Sequence, residues 1–193
     1  MSETCKNTLD IIYSCTDKPV AGAKDRVILV PRNIITDISL DSSNHLIIDD
    51  ITKTATERAI ELVGNGMLIA PDTGLVSDEF GNRYRHRLPF KVYGNKPVTK
   101  RELEYMVDEP EGFVAIYEQN YASTLGSARY VVMGKDAGVY VTLLEDVEGK
   151  AVFNIELANR EGFEEPHLPA NFWDTDKATT LAKIEALLVA DTP

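Results

Sequence analysis

The sequence predicts a mainly β, α+β fold: an antiparallel β-sandwich or barrel with one flanking mid-chain helix, a long loop, an N-terminal arm and a C-terminal helix. Three observations predict it. Short apolar segments of strand length recur from Arg26 to Leu157, separated by clusters of Gly, Asp, Asn and Ser. Two stretches carry the three-and-four spacing of an amphipathic helix. Repeats, low-complexity tracts and Ser/Gly linkers are absent, so 193 residues, 44% of them apolar, read as one folding unit with a real core.

The elements follow in order. Residues 1–25 mix polar, Pro and Gly positions around Leu9-Asp10-Ile11-Ile12-Tyr13 and read as an arm with one strand, of a kind that waits for a partner. Three strand-like segments come next, Arg26 to Arg32, Ile34 to Leu40 and His45 to Ile51, the last two joined by the turn Asp41-Ser42-Ser43-Asn44 into a hairpin. Thr54 to Val63 fits both a helical and a two-residue period. Gly64 to Gly81 is rich in Gly, Asp, Asn and Pro and reads as a long exposed loop with room for a small hairpin at its base. Arg83 to Tyr93 is a strand, its Pro89 suited to an edge or a bulge. Around Val98 to Asp108, Thr99 and Glu102 match a capping box, with Val98 and Leu103 at the staple positions. A short helix is therefore predicted to start at Thr99, with Leu103, Met106 and Val107 as a stripe against a sheet. Four strands follow: Phe113 to Glu118, Arg129 to Met133, Val139 to Glu145 and Ala151 to Leu157. Turns at 134–138 and 146–150 are of hairpin length with Gly available, which predicts a meander. Asn159 to Asp174 reads as irregular, and Thr175 to Ala190 as an amphipathic helix with Leu181, Ile184, Leu187 and Leu188 on one face. The organisation is an arm over 1–25, a β domain over 26–160 holding the loop 64–81, and a C-terminal extension over 161–193.

Charge narrows the partners. Thirty-one acids against twenty bases give a formal net charge of −11, so a broad basic face for nucleic acid is excluded and repulsion of DNA is expected. No apolar run approaches the length of a membrane span. The opening residues carry Glu3 and polar groups where a secretory signal needs a basic start and an apolar stretch. Cys5 and Cys15 are the only cysteines and have no zinc-ligand or framework spacing, so they are expected as reduced thiols in a cytoplasmic product.

The chemistry-bearing patterns are few. Asp72-Thr73-Gly74, between Met67-Leu68-Ile69-Ala70 and Leu75-Val76, resembles the catalytic tripeptide of retroviral-type aspartic proteases, where two copies bring two carboxylates together to share a proton. Pro71 interrupts the strand those enzymes continue, and their second motif has no counterpart, so a turn tripeptide is the plainer reading. His45, His86 and His167 have no helical metal spacing, and Glu161, Glu164 and Glu165 near His167 read as a solvated loop, so no metal and no cofactor is expected. Gly134 and Gly138 lie between two strands, which removes the helix N-terminus that a phosphate loop needs. Arg83, Arg85, His86 and Arg87 form the only basic cluster. On a strand the three arginines share one face, either as a solvated stripe or as a seam between subunits that meets acids on an identical neighbour. No catalytic constellation emerges, so an enzyme is not expected.

One resemblance covers about half the chain. Leu88 to Tyr93 leading to the helix at Thr99 is its first part, followed by Phe113-Val114-Ala115-Ile116-Tyr117-Glu118. Arg129 to Val139 with its Gly134-Lys135-Asp136-Ala137-Gly138 turn comes next, then Val152-Phe153-Asn154-Ile155-Glu156-Leu157 running into an acidic Pro-containing tail. In this order of elements the chain resembles bacteriophage tail tube proteins, especially the tube-like proteins of Bacteroidetes-type phages. The resemblance implies a β-sandwich with one flanking helix, six copies closing into a ring whose inner strands form a continuous barrel, and rings stacked through the arm and the loop. It further implies a structural virion protein made in the host cytoplasm, partnered by itself and by other tail proteins, through which DNA passes without specific binding along a carboxylate-lined lumen. A head-tail connector ring of the same fold and a homodimeric protease built on Asp72 are the alternatives.

Overall fold

The computed structural model describes residues 4–6, 12–14, 23–63, 71–79, 81–94, 96–120, 129–147 and 151–190. A ribbon of β1 (Thr4–Lys6) and β2 (Ile12–Ser14) pairs with itself. Beyond it, two sheets face each other. The larger has seven strands in the spatial order β4 (Ile35–Leu40), β5 (Ile47–Lys53), β13 (Ala170–Phe172), β10 (Tyr130–Met133), β9 (Phe113–Gln119), β3 (Ala23–Pro31) and β6 (Ile60–Val63). The smaller has four, in the order β11 (Tyr140–Val147), β12 (Val152–Ala158), β8 (Gly81–Tyr93) and β7 (Asp72–Asp78). Every neighbouring pair is antiparallel except β5 with β13, so the mainly β, α+β class read from the sequence holds.

Side-chain periodicity explains the layering. In β3, Val27 and Leu29 turn toward the small sheet, while Ile28 and Val30 turn the other way. On β9 and β10 the alternation repeats, with Phe113, Ala115, Val131 and Met133 on the first face and Val114, Ile116, Tyr130 and Val132 on the second. Both faces of these strands are buried, which is why their sequences are unbroken apolar runs. Helix α2 (Lys177–Leu187) covers the second face with Ile184 and Leu187. Among the described residues, strands β8 and β12 are covered on one side: Leu88, Phe90, Phe153, Ile155 and Leu157 point inward, and Arg87, Lys91, Asn154 and Glu156 do not. Helix α1 (Pro97–Asp108) adds Leu103 and Met106 to the inter-sheet core.

Several elements differ from the sequence reading. Helix α1 starts at Pro97, not Thr99, because a proline at the first helical position is preorganised there. Lys96 is the N-cap without a side-chain bond, so the Thr99–Glu102 box does not form, and Val98 is 60% exposed rather than stapled. The ambiguous Thr54–Val63 ends in strand β6. Within 64–81, read as a loop, residues 72–78 form β7 in a hairpin with β8, while 64–70 and 80 lie outside the described residues. Pro89 sits on an interior strand, yet β7 ends opposite Arg87, so from Leu88 onward β8 has a neighbour on one side only among the described residues, which is where a missing N–H is tolerated. Residues 134–138 are not a hairpin turn: β10 and β11 belong to different sheets, and the segment is the corner between them. Gly134 and Gly138 hold φ of +77° and +81°, and a Cβ on Gly134 would lie 2.7 Å from the Phe113 carbonyl oxygen. The 161–193 region, read as an extension, supplies β13 between β5 and β10 and the covering helix α2. The Asp41 turn forms as read, its carboxylate accepting from the backbone N–H of Ser43 and Asn44.

Candidate functional site

The sequence points to the outer face of the small sheet. Arg83, Arg85 and Arg87 alternate with Tyr84, His86 and Leu88 on β8, so the arginines share the face turned away from the core. They are not equivalent. Arg87 lies 2.5 Å from Glu156 on β12 and 3.3 Å from Asp72 on β7, which raises its already high pKa, chiefly through the Glu156 bond. Arg83 lies 3.9 Å from Glu164 and donates to the Gly162 carbonyl. Arg85 is exposed, has no ion pair among the described residues, and stands opposite Gly74, which brings no side chain to the face. Near the start of β11, Arg160 stacks on Tyr140, 3.8 Å from the ring centroid.

Asp72 is an exposed residue at the start of edge strand β7, its carboxylate held by Arg87.

Beneath the face lies a polar cluster that sequence reasoning missed. His86 is 2% exposed; Gly134 N–H donates to its Nδ1, so Nε2 carries the proton and donates to the His167 carbonyl at 3.1 Å. Burial pushes this imidazole down to about 4. Asn159 accepts from the His86 N–H at 2.7 Å and donates to the Gly138 carbonyl at 2.6 Å. Glu165 is 1% exposed, accepts from the N–H groups of Asp136 and Ala137, and has its pKa raised by burial. Arg32 donates to the carbonyls of Gly134 and Lys135. Both ring nitrogens of His86 are committed, so the cluster clamps the 134–138 corner instead of offering a base. It also disperses the acids grouped in the sequence: Glu165 turns into the corner, while Glu164 faces Arg83 and the Gly162 N–H. His45 and His167 lie with ring centroids 4.6 Å apart, and no cluster of three metal-ligating side chains occurs among the described residues.

The sheet edges left without a strand partner among the described residues are the other feature hidden in the sequence. Unpaired strand edges are ordinarily blunted by bulges, short length, Lys or Pro. On the large sheet, β4 carries two register shifts, and β6 is four residues long with Glu61 tied to Arg26. On the small sheet, β7 runs seven residues without a shift, Lys or Pro, and exposes Leu75 by 62%. Strand β11 has one shift near its start and packs against α1, then runs regularly through Leu143 and Leu144, which remain exposed by 47% and 40%. These two edges are staggered. Strand β7 lies beside residues 81–87 of β8, whereas β11, read through β12, aligns with 87–93, from Tyr140 at Arg87 to Val147 at Tyr93. Their centres are thus about six residues, roughly 20 Å, apart along the strands, across a sheet about 19 Å wide.

Comparison with family models, with curated proteins and with solved structures finds no match to this chain.

Proposed function

We propose that the chain is a structural protein of a phage tail that closes into homo-oligomeric rings, six copies in each, which stack into a DNA-conducting tube. The observation that carries this reading is the pair of staggered edges, β7 and β11, that one four-stranded antiparallel sheet leaves without a strand partner among the described residues. An even number of alternating strands lets β7 of each copy meet β11 of the next in antiparallel sense, so every copy adds to one sheet in the same way, and a closed barrel leaves no edge. For copies related by rotation alone, a stagger of roughly 20 Å over a width of roughly 19 Å tilts the strands by about 45° from the ring axis, at the upper end of the tilt of closed barrels. Assignment of the ring to a phage tail rests on the order of elements that resembles the tube proteins.

In this arrangement the large sheet and α2 lie outside, and the outer face of the small sheet lines the channel. That face carries Arg83, Arg85, Arg87 and Lys91 against Asp72, Glu145 and Glu156, so the carboxylate lining expected from net charge gives way to a lining of mixed sign. Arg83 and Arg87 each have a carboxylate of their own chain beside them, which offsets the charge presented to a passing phosphate. Light scattering on a sizing column, with negative-stain imaging of the same fractions, tests the reading. Rings or tubes are expected; a chain that stays monomeric at every concentration overturns it.

A further inference from the structure

The ring reading leaves open which residues meet at the seam, and the pairing within the sheet answers that. We infer that β7 of one copy pairs with β11 of the next in the register that sets Gly74 against Glu145, Leu75 against Leu144 and Val76 against Leu143, with Arg85 forming an ion pair to the neighbour's Glu145 across Gly74. The inference rests on the ring reading and goes beyond it by fixing the contact residue by residue.

Three independent features select this register. The first is overlap: laying the seven residues of β7 fully along β11 shifts the neighbouring copy by the six-residue stagger already present in the sheet, which brings Asp72 to Val147 and Gly74 to Glu145. Next comes parity. Gly74 and Val76 share the outer face with Arg85 and Arg83, while Glu145 and Leu143 share it with Asn154 and Glu156; Leu75 pairs with Tyr84, and Leu144 pairs with the inward Ile155. Each seam pair therefore joins residues of the same face, whereas a one-residue slip would set every side chain against the wrong one.

The third feature is complementarity. Leu75, Leu143 and Leu144 are exposed large apolar side chains of the two edge strands, and this register places Leu75 on Leu144 and Leu143 on Val76, in opposing positions whose Cβ atoms lie about 4.5–5.5 Å apart. Arg85 and the neighbour's Glu145 then stand in one row two strands apart, roughly 9–10 Å between backbones. Two long side chains leaning toward each other cover that span if nothing stands between them, and the residue between them is Gly74, with no atom near the position its Cβ would occupy. Of the three arginines on the face, Arg85 is the one without an ion pair among the described residues of its own chain. A seam stripe met by a neighbour's acids, one of the two readings of the basic cluster, thus narrows to a single residue.

The test uses the full chain with Cys5→Ser and Cys15→Ser, so that the only thiols are introduced ones. Leu75→Cys with Leu144→Cys is expected to oxidise into a covalent ladder on a denaturing gel, ending at the ring number. Leu75→Cys with Asp146→Cys, shifted by two residues on the same face, is expected to stay monomeric. Imaged rings that cross-link only in the shifted pair, or in neither, overturn the register while leaving the ring standing; absence of rings in the unaltered chain overturns the ring and the seam together. A second arm tests the ion pair. Arg85→Glu is expected to lower the assembled fraction at least tenfold at low salt, and Glu145→Arg added to it to restore assembly. Unimpaired assembly of Arg85→Glu, or failure of the second change to restore it, overturns the pair.

Discussion

Between pH ~7.5 and ~5, above the range in which carboxylates take up protons, acidification should weaken this fold chiefly through His86. The imidazole is 2% exposed, its Nδ1 accepts from Gly134 N–H, its Nε2 donates to the His167 carbonyl, and burial holds its pKa near 4 against about 6.5 for a free side chain. The folded state therefore refuses a proton that the unfolded chain accepts, and stability falls as pH drops from about 6.5 toward 4. With both pKa values in the linkage relation, the loss is about 2 kcal/mol between pH ~7.5 and ~5 and approaches about 3 kcal/mol near pH 4. Glu165 works in the opposite sense. Its raised pKa gives stability that is fully present below the ordinary carboxylate pKa and is lost as pH rises through the folded value. The measurement must isolate His86 from it, and His86→Gln does so, since glutamine keeps a donor and an acceptor at the site but cannot titrate. Urea unfolding followed by the fluorescence of Trp173, the chain's single tryptophan, at protein concentrations below assembly and at steps from pH ~7.5 to ~5, gives two stability curves whose difference cancels the other groups. The wild type should lose about 2 kcal/mol more than His86→Gln over that interval. Parallel curves would refute the argument, because they would mean that His86 takes up its proton in the folded state without penalty.

Other expectations follow from the same geometry. Gly134→Ala should cost about 2 kcal/mol or more in a denaturant melt, because φ of +77° and a Cβ 2.7 Å from the Phe113 carbonyl oxygen leave an alanine no room. Phe90→Ala, in the inter-sheet core, should cost about 3–5 kcal/mol by the same assay. Asp72→Asn breaks an exposed pair with Arg87 and should change stability by less than about 1 kcal/mol; peptide cleavage at acidic pH that disappears in this variant would instead restore the protease reading. Deleting residues 1–20 should leave the melting temperature unchanged and shorten the tubes seen by negative stain, since the β1–β2 ribbon joins neither of the two facing sheets among the described residues; tubes of normal length would show that the arm does not stack rings.

What the sequence made legible was whatever depends on neighbours along the chain. The hairpin at Asp41 announces itself because a single carboxylate caps two N–H groups within three residues. The mid-chain helix, the C-terminal helix and the four strands after Phe113 were readable from periodicity. Long-range features stayed hidden. Gly134 to Gly138 has the composition of a hairpin turn, and only the packing of Phe113 and Arg32 against it shows a corner between sheets. Strand β7 has the composition of a loop because an edge strand outside the main core is under little pressure to be apolar. Strand β13 spans three residues, too few for any period to register, and forms because β5 and β10 leave a gap for it. At the candidate site, the arginine stripe was visible from alternation, but the difference between Arg85 and its two neighbours was not, since it depends on Glu156 and Glu164, about 70 to 80 residues away.

On the proposed ring reading, the buried cluster and the two edges of the small sheet act together. The corner at 134–138 is where the chain leaves the large sheet and enters β11, and His86, Asn159, Glu165 and Arg32 all bond to its backbone. His86 itself sits between Arg85 and Arg87 on β8, while Glu165 pairs with Tyr84 in the next row. One cluster therefore sets the position of β8, which carries β7, and the point at which β11 begins. A polar group buried at this depth is costly to leave unpaired, so the corner has one well-satisfied arrangement and not several. Closing a ring requires every copy to present the same stagger between its two edges, because a small error in shear repeats at each seam. A purely apolar contact between the sheets would allow them to slide; directional bonds at the corner do not. Loosening the cluster should then show first as irregular or open rings, under conditions in which the subunit itself remains folded.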